Sequence, residues 1–322
     1  MAKINEIVCG FNLTGGNTDV GSCVFTPAPV AGMFLSYGKV FTPAEQANMK
    51  AALDAALIAA NRSNRLYPVH NITEAEDKSA EKQTSTTGYG DEIVTRAKKL
   101  KSAYKIVKGG LTMLQKLSVH SDVCTQVFLY DQKNRLLGYK DAAGNLCPFD
   151  LTQFFVDTPP ELTGSNFFYS PIELAFASND QKVKDFAWVN ADSENFSLSA
   201  LKGIKDVVLA EQVAMTNAGV FVVRGEVGPT KDDLRTTYGA ALAQTAAWKC
   251  RVKDTGAAVT VSAAVVHGAS STGYQLTVDE VALPANTVVE FYLADIPTLQ
   301  AAPVNLPATA KIESNYLAQV VS

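Results

Sequence analysis

Short runs of β-branched and aromatic residues, each closed by Pro, Gly, Asn or Asp, recur through most of this sequence, and that punctuation restricts the chain to a mainly β architecture. Val123–Tyr130 and Leu136–Tyr139 flank the polar connection Asp131–Arg135, a spacing that predicts a hairpin. Asp141–Asn145 reads as the next turn. Phe154–Val156, Phe167–Tyr169 with Ile172–Phe176, Val207–Ala210 and Val220–Val223 read as further strands. One long helix interrupts the series. Thr42 is placed to cap it, Pro43 suits its first position, and Glu45 completes a capping box. Met49, Ala52, Leu53, Ala56, Leu57 and Ala60 then form one apolar stripe, which predicts a helix to about Ala60 lying on a sheet. Lys108–Leu117 predicts a short helix over the same sheet.

Between these elements the polar stretch 71–90, with Glu74, Glu76, Asp77, Lys78, Glu81 and Lys82 followed by Thr84–Thr87, reads as a long loop without the apolar area to order itself. The next segment carries Arg96, Lys98, Lys99, Lys101, Lys105 and Lys108. Leu100, Tyr104 and Ile106 alternate with Lys99, Lys101 and Lys105, so a strand with one basic face is expected there. That face is either simply solvated or a surface for an acidic neighbour, such as the acidic loop of another copy.

With 322 residues, the chain has room for two domains. Residues 1–25, rich in glycine over 9–25, read as an N-terminal arm; 26–231 as a β-sandwich or barrel with one flanking helix; and 232–322, after the breaker run Gly228–Lys231, as a small immunoglobulin-like β-sandwich. The inward set expected for the last domain is Trp248/Cys250/Val252, Val259/Val261/Ala263/Val265, Tyr274/Leu276/Val278, Val289/Phe291/Leu293 and a final run around Tyr316.

Chemistry has little material. Only His70, His120 and His267 are available, which disfavours multi-histidine zinc sites and most histidine-based catalysis. Ser118–Asp122 contains Ser, His and Asp, yet triads are assembled from separated segments, and the local order fits a helix end and turn. Gly15–Asn17 lacks the Gly-Lys-Ser/Thr of a phosphate loop, and Gly268–Gly273 puts its serines out of register for a nucleophile elbow. The five cysteines, Cys9, Cys23, Cys124, Cys147 and Cys250, form no C-x-x-C pair, and Cys250 reads as a small core hydrophobe. A reducing compartment follows, and the opening residues lack the apolar region of a signal peptide, so synthesis and retention in a cytoplasm are expected. No residue is nominated as catalytic, cofactor-binding or metal-binding, and no enzyme is expected. A net charge of −4 argues against a large phosphate-binding surface. Charged residues make up only 19 %, which suits a protein that buries surface against partners.

The opening Lys3–Leu13, the glycine arm, Tyr104–Leu111 followed by Asp122–Tyr139, and Tyr238–Ala243 together resemble structural proteins of tailed phages and prophages of Bacteroidota, most of all tail tube proteins. The resemblance implies hexameric rings with an inner β-barrel through which phage DNA passes without specific binding. It also implies an arm and a long loop joining successive rings, other tail proteins as partners, and an immunoglobulin-like appendage on the outside. Tube linings are usually acidic, so the basic strand is expected to face a neighbouring subunit. A capsid, decoration or baseplate protein is the alternative within that class, and a carbohydrate- or surface-binding module the alternative outside it.

Overall fold

The computed structural model describes residues 5–6 and 28–321, except 91, 97, 162–167, 184, 217–218, 269–271, 279–283 and 285. The chain is mainly β, 44 % strand against 19 % helical, as its punctuation requires. It divides into two compact units, Met1–Gly203 and Ile204–Ser322. No helix among the described residues is long and apolar enough to cross a membrane. The expected arm over 1–25 lies outside the described residues, apart from Asn5–Glu6, which pair with Trp188 and Ala187.

Among the described residues, the first unit contains eleven strands longer than two residues: β1 (Val30–Ser36), β2 (Leu66–His70), β3 (Ile72–Asp77), β4 (Gln83–Thr86), β5 (Glu92–Arg96), β6 (Lys101–Ile106), β7 (Gln126–Asp131), β8 (Arg135–Lys140), β9 (Phe149–Val156), β10 (Ser170–Phe176) and β11 (Phe186–Asn190). The main pairing path is β11–β8–β7–β9–β10–β6–β3, with β1 joining β7 to β2. Two segments turn corners and make the sheet curl into a half-barrel. β2 pairs with β1 and β3 with β6, and the two are separated only by Asn71, whose φ of 62° supplies the bend. β9 pairs with β7 through Phe149–Asp150 and with β10 from Leu151 onward, with an irregular register between Leu151 and Gln153.

Both faces of β1 and β7 are covered, which explains why they read as continuous apolar runs. Met33, Leu35, Val127 and Leu129 enter the concave core with Phe149, Phe154, Leu174 and Phe176. Phe34, Phe128 and Tyr130 point the other way, against Met49, Leu53, Ala56 and Leu57. The expected helix over 42–60 is two pieces, α1 (Pro43–Gln46) and α2 (Met49–Leu57). The capping box at Thr42 and Glu45 is present as read. The break comes at Asn48, whose side chain accepts from the Ala51 N–H, while the Glu194 carboxylate accepts from the N–H groups of Met49 and Lys50. The short helix α3 (Gly110–Ser118) follows β6 and buries Leu117.

The hairpin β7–β8 forms as expected, and its turn is held by one buried carboxylate. Asp131 accepts from the backbone N–H of Lys133 and Arg135 at 3.0 and 3.1 Å and pairs with the Arg135 guanidinium. The segment 71–90, by contrast, is not a loop. It contains β3 and β4, because alternate polar residues can sit on an exposed strand when a neighbouring strand supplies backbone partners, β6 for β3 and β5 for β4.

The second unit carries β12 (Lys205–Val213), β13 (Val220–Val227), β14 (Trp248–Val252), β15 (Val261–Val266), β16 (Gly273–Val278), β17 (Val288–Leu293), β18 (Ile312–Ser314) and β19 (Leu317–Val320). One sheet runs β15–β16–β13–β12–β18, the other β14–β17–β19 with Ala258–Val259 at its edge. They share a core in which the Phe221 and Phe291 ring centres lie 4.2 Å apart. The boundary expected after Lys231 therefore moves to 203/204: β12 pairs with β18 and β13 with β16, so both strands belong to the C-terminal sheet. Gly228–Lys231 is a turn, with Gly228 at φ 64° and Lys231 N–H donating to the Gly228 carbonyl, that returns the chain to pair Asp232 with Val227. The inward set holds for Trp248, Cys250, Tyr274, Leu276, Val278, Val289, Phe291 and Leu293. On β15 a bulge between Val261 and Ala263 flips the alternation, so Ala264 is buried and Val265 faces water. Tyr316 lies between β18 and β19 and is 52 % exposed, outside the core.

Candidate interaction surface

Among the described residues β3 ends its sheet and is paired only with β6. Ile72 turns inward, whereas Thr73, Glu74, Ala75, Glu76 and Asp77 are exposed. Across from them the lysine row reads out as expected: Tyr104 and Ile106 are buried, and Lys101 and Lys105 point away from the core. The acidic neighbour of this row lies in the same chain. Lys105 Nζ is 2.9 Å from Glu74 Oε2, Lys98 pairs with Asp77 at 3.7 Å, and Lys101 pairs with Glu173. Lys78 adds a bond to Glu76 at 2.8 Å. Hydrogen bonding to Glu74 and Glu76 raises the Lys105 and Lys78 ammonium groups above the usual lysine range, and bonds from Ser79 hold Asp77 below the usual carboxylate range. These groups are solvated, so the pairs set register and neutralise the edge more than they stabilise the unit.

Beyond β3 the hairpin continues outward. Lys78 N–H donates to the Lys101 carbonyl and Ala80 N–H to that of Lys99, and then β4 and β5 pair with each other alone. The turn is closed by Gly90 N–H donating to the Thr87 carbonyl. Every side chain of β4 is exposed, Ile93 and Val94 of β5 are each 54 % exposed, and Tyr89 at the turn is 98 % exposed. A lone two-stranded ribbon is marginal in water, and its outer N–H and C=O groups are templates for another strand. At its root lies a shallow groove of about 420 Å³ bordered by Lys78, Lys99, Lys101, Asp122 and Gln153.

The three histidines are not brought together in a cleft. His70 is buried between the Tyr130 hydroxyl, 2.6 Å from Nδ1, and the Leu201 carbonyl, 2.6 Å from Nε2. The carbonyl can only accept, so Nε2 carries the proton and Nδ1 accepts from the tyrosine. Burial pushes His70 below the ordinary imidazole value. His120 follows the end of α3, as its sequence context suggests, with the Tyr37 hydroxyl 2.7 Å from Nδ1. The Arg62 guanidinium stacks 3.9 Å from the Tyr37 ring centre, and burial again lowers the imidazole. The backbone carbonyl of His267 accepts from Arg235 at 2.8 Å. Cys124, Cys147 and Cys250 are buried free thiols, with Cys250 pushed up to about 12 by burial, in keeping with a core hydrophobe. Cys9 and Cys23 lie outside the described residues. Among the described residues no three His, Cys, Asp or Glu side chains are grouped to hold a metal ion.

Lys182, which sequence reading passed over, places its ammonium 3.5 Å from the Phe176 ring centre, and burial lowers it to about 8. No periodicity marks such a residue, since it sits on a four-residue helix, Asp180–Val183. No family model matches the chain, and no curated protein matches it.

Proposed function

We propose that the chain is a virion structural protein of a tailed phage, a tail tube subunit that assembles into stacked rings around a DNA-conducting channel. The observation that carries the reading is the projecting hairpin: an edge strand with paired charges leads into a two-stranded ribbon whose exposed Ile93, Val94 and Tyr89 have no covering element among the described residues. In a ring, the same ribbon on a second copy, or that copy's open sheet edge, supplies the missing strand. The resemblance to tail tube proteins implies a β-sandwich with one flanking helix, and a curled sheet with the α1–α2 pair packed against it is compatible with that framework. In this reading the 204–322 unit is an immunoglobulin-like appendage, and the protein resides in the host cytoplasm until it is built into the tail.

The test is assembly by the purified full chain. Sedimentation velocity and negative-stain microscopy should find rings that stack into tubes at raised protein concentration. Closed shells would favour a capsid or decoration protein instead, and a stable monomer at all concentrations and salts would remove the proposal.

A further inference from the structure

The outward face of the β14–β17–β19 sheet carries a preformed arrangement of aromatic rings and fixed polar groups. Val289, Phe291 and Leu293 of β17 enter the core, so Glu290 and Tyr292 point outward. The strand register sets Lys249 beside Tyr292 and Arg251 beside Glu290. Tyr316, just ahead of β19, meets Tyr292 edge to face, with ring centres 4.9 Å apart at 72°. The Arg251 guanidinium lies 4.2 Å from the Tyr316 ring centre and donates from Nε and Nη2 to Glu290 Oε2 at 2.9 and 2.8 Å. Stacking and the carboxylate together hold the guanidinium in one place.

Part of this cluster serves the sheet, since cross-strand pairs stabilise it. Its remaining capacity is only partly covered, Arg251 being 35 % and Glu290 13 % exposed. Two of the five guanidinium N–H groups are used, which leaves three donors, and Glu290 Oε1 remains as an acceptor beside them. Tyr316 is half exposed, and folding gains nothing from the exposed half. Lys249 is exposed and has no ion pair among the described residues. A donor–acceptor pair next to an aromatic face matches a pyranose, which offers vicinal hydroxyls at its rim and C–H bonds on its faces. Arg251 is paired with Glu290, so among the described residues of this cluster Lys249 leaves one net positive charge, and the complementary sugar is anionic. Ala318, opposite Glu290 on β19, keeps that end of the face low, which suits an extended polymer more than a single sugar.

We propose that this face binds an acidic polysaccharide. A uronate ring stacks on Tyr316, its carboxylate meets Lys249 and the free donors of Arg251, and a hydroxyl donates to Glu290. The site lies wholly within the 204–322 unit and stands independently of the assembly reading.

Calorimetric titration of the full chain with oligogalacturonate, with a neutral cello-oligosaccharide and polyglutamate as comparisons, tests it. Oligogalacturonate should bind, more weakly as salt rises, and in preference to both comparisons. Tyr316→Ala should weaken binding about tenfold, the loss expected for one aromatic contact, and Lys249→Gln should reduce the preference for the acidic over the neutral sugar. Both positions are exposed, and circular dichroism checks that the variants are folded. The proposal is overturned if the wild-type chain does not bind oligogalacturonate, if polyglutamate or the neutral sugar binds as well, or if folded Tyr316→Ala binds like wild type.

Discussion

Gly32→Ala should be among the most damaging single-methyl changes in the first unit. Gly32 lies on β1, and a Cβ there would stand 2.3 Å from both Cζ and Oη of Tyr130. Carbon atoms need about 3.5 Å, so the ring tip must retreat by about 1 Å. Three contacts oppose that retreat. The ring is 2 % exposed, its hydroxyl donates to His70, and His70 in turn donates to the Leu201 carbonyl. Over-packing costs about 1–3 kcal/mol, and leaving the buried His70 nitrogen unmatched costs about 1–3 kcal/mol more. Alanine's backbone advantage over glycine returns about 0.5–1 kcal/mol. The net loss of about 1–5.5 kcal/mol is a large share of the ~5–15 kcal/mol that holds a typical domain. Urea unfolding followed by Trp188 fluorescence in a Trp248→Phe background reads this unit separately, because the chain has only those two tryptophans. Tyr130→Leu, which removes the ring, should be much less costly when combined with Gly32→Ala than alone, giving a coupling above about 1 kcal/mol. Strict additivity, or a loss below about 1 kcal/mol for Gly32→Ala, would refute the steric argument.

Stability should fall as pH drops below about 6.5, since His70 and His120 are both lowered by burial. The unfolded chain then binds more protons than the folded one between the two pKa values, so stability is complete above the unfolded value and is lost below it. Urea midpoints from pH 8 to pH 5 check this, and His70→Gln should flatten the slope. Lys182→Met should raise the urea midpoint at pH 7, because the folded lysine, lowered to about 8, holds its proton less tightly than the unfolded one; an unchanged or lower midpoint would show that the contact with Phe176 compensates fully. A chain ending at Gly203 should fold, whereas one ending at Thr230 should aggregate, because it leaves β12 and β13 without β18 and β16; limited proteolysis and light scattering distinguish the two. Replacing residues 82–97 by a short turn should leave thermal unfolding within about 1 kcal/mol of wild type while abolishing any assembly seen by sedimentation.

How much was legible depended on whether a signal was local. The capping box at Thr42, the hairpin turn at Asp131 and the inward sets of β14, β16 and β17 are short-range patterns, and each is read directly from residue order. Apart from the bulge in β15, the misreadings share one cause, a partner distant in sequence. Stretch 71–90 looks unable to order itself until β6 is placed beside it. Gly228–Lys231 looks like a linker until β13 is seen to pair with β16, far along the chain. The lysine row is legible as a face, but whether it is solvated or meets the acids of another copy stays open in the sequence, because strand order alone does not show that β3 folds back onto β6. The α1–α2 break had a visible candidate in Asn48, yet Glu194, which occupies the N-terminus of α2, comes from a remote segment.

The charges on β3 bear on whether its edge serves a monomer or an assembly. Acidic and basic side chains on an edge strand are a common guard against indiscriminate pairing, and here they are neutralised in pairs, so the root of the hairpin is guarded with little net charge. The ribbon beyond it lacks that protection where Ile93, Val94 and Tyr89 are exposed. If the hairpin were only a solvated excursion, selection against aggregation would act most strongly at these three positions, because they combine β propensity with exposure. Ile93 and Val94 lie along β5, beside Ser85 and Thr84, and Tyr89 lies at the turn, so the unguarded stretch is the ribbon and not the charged root. The ribbon, not the charged strand, is therefore the surface on which the tube reading rests.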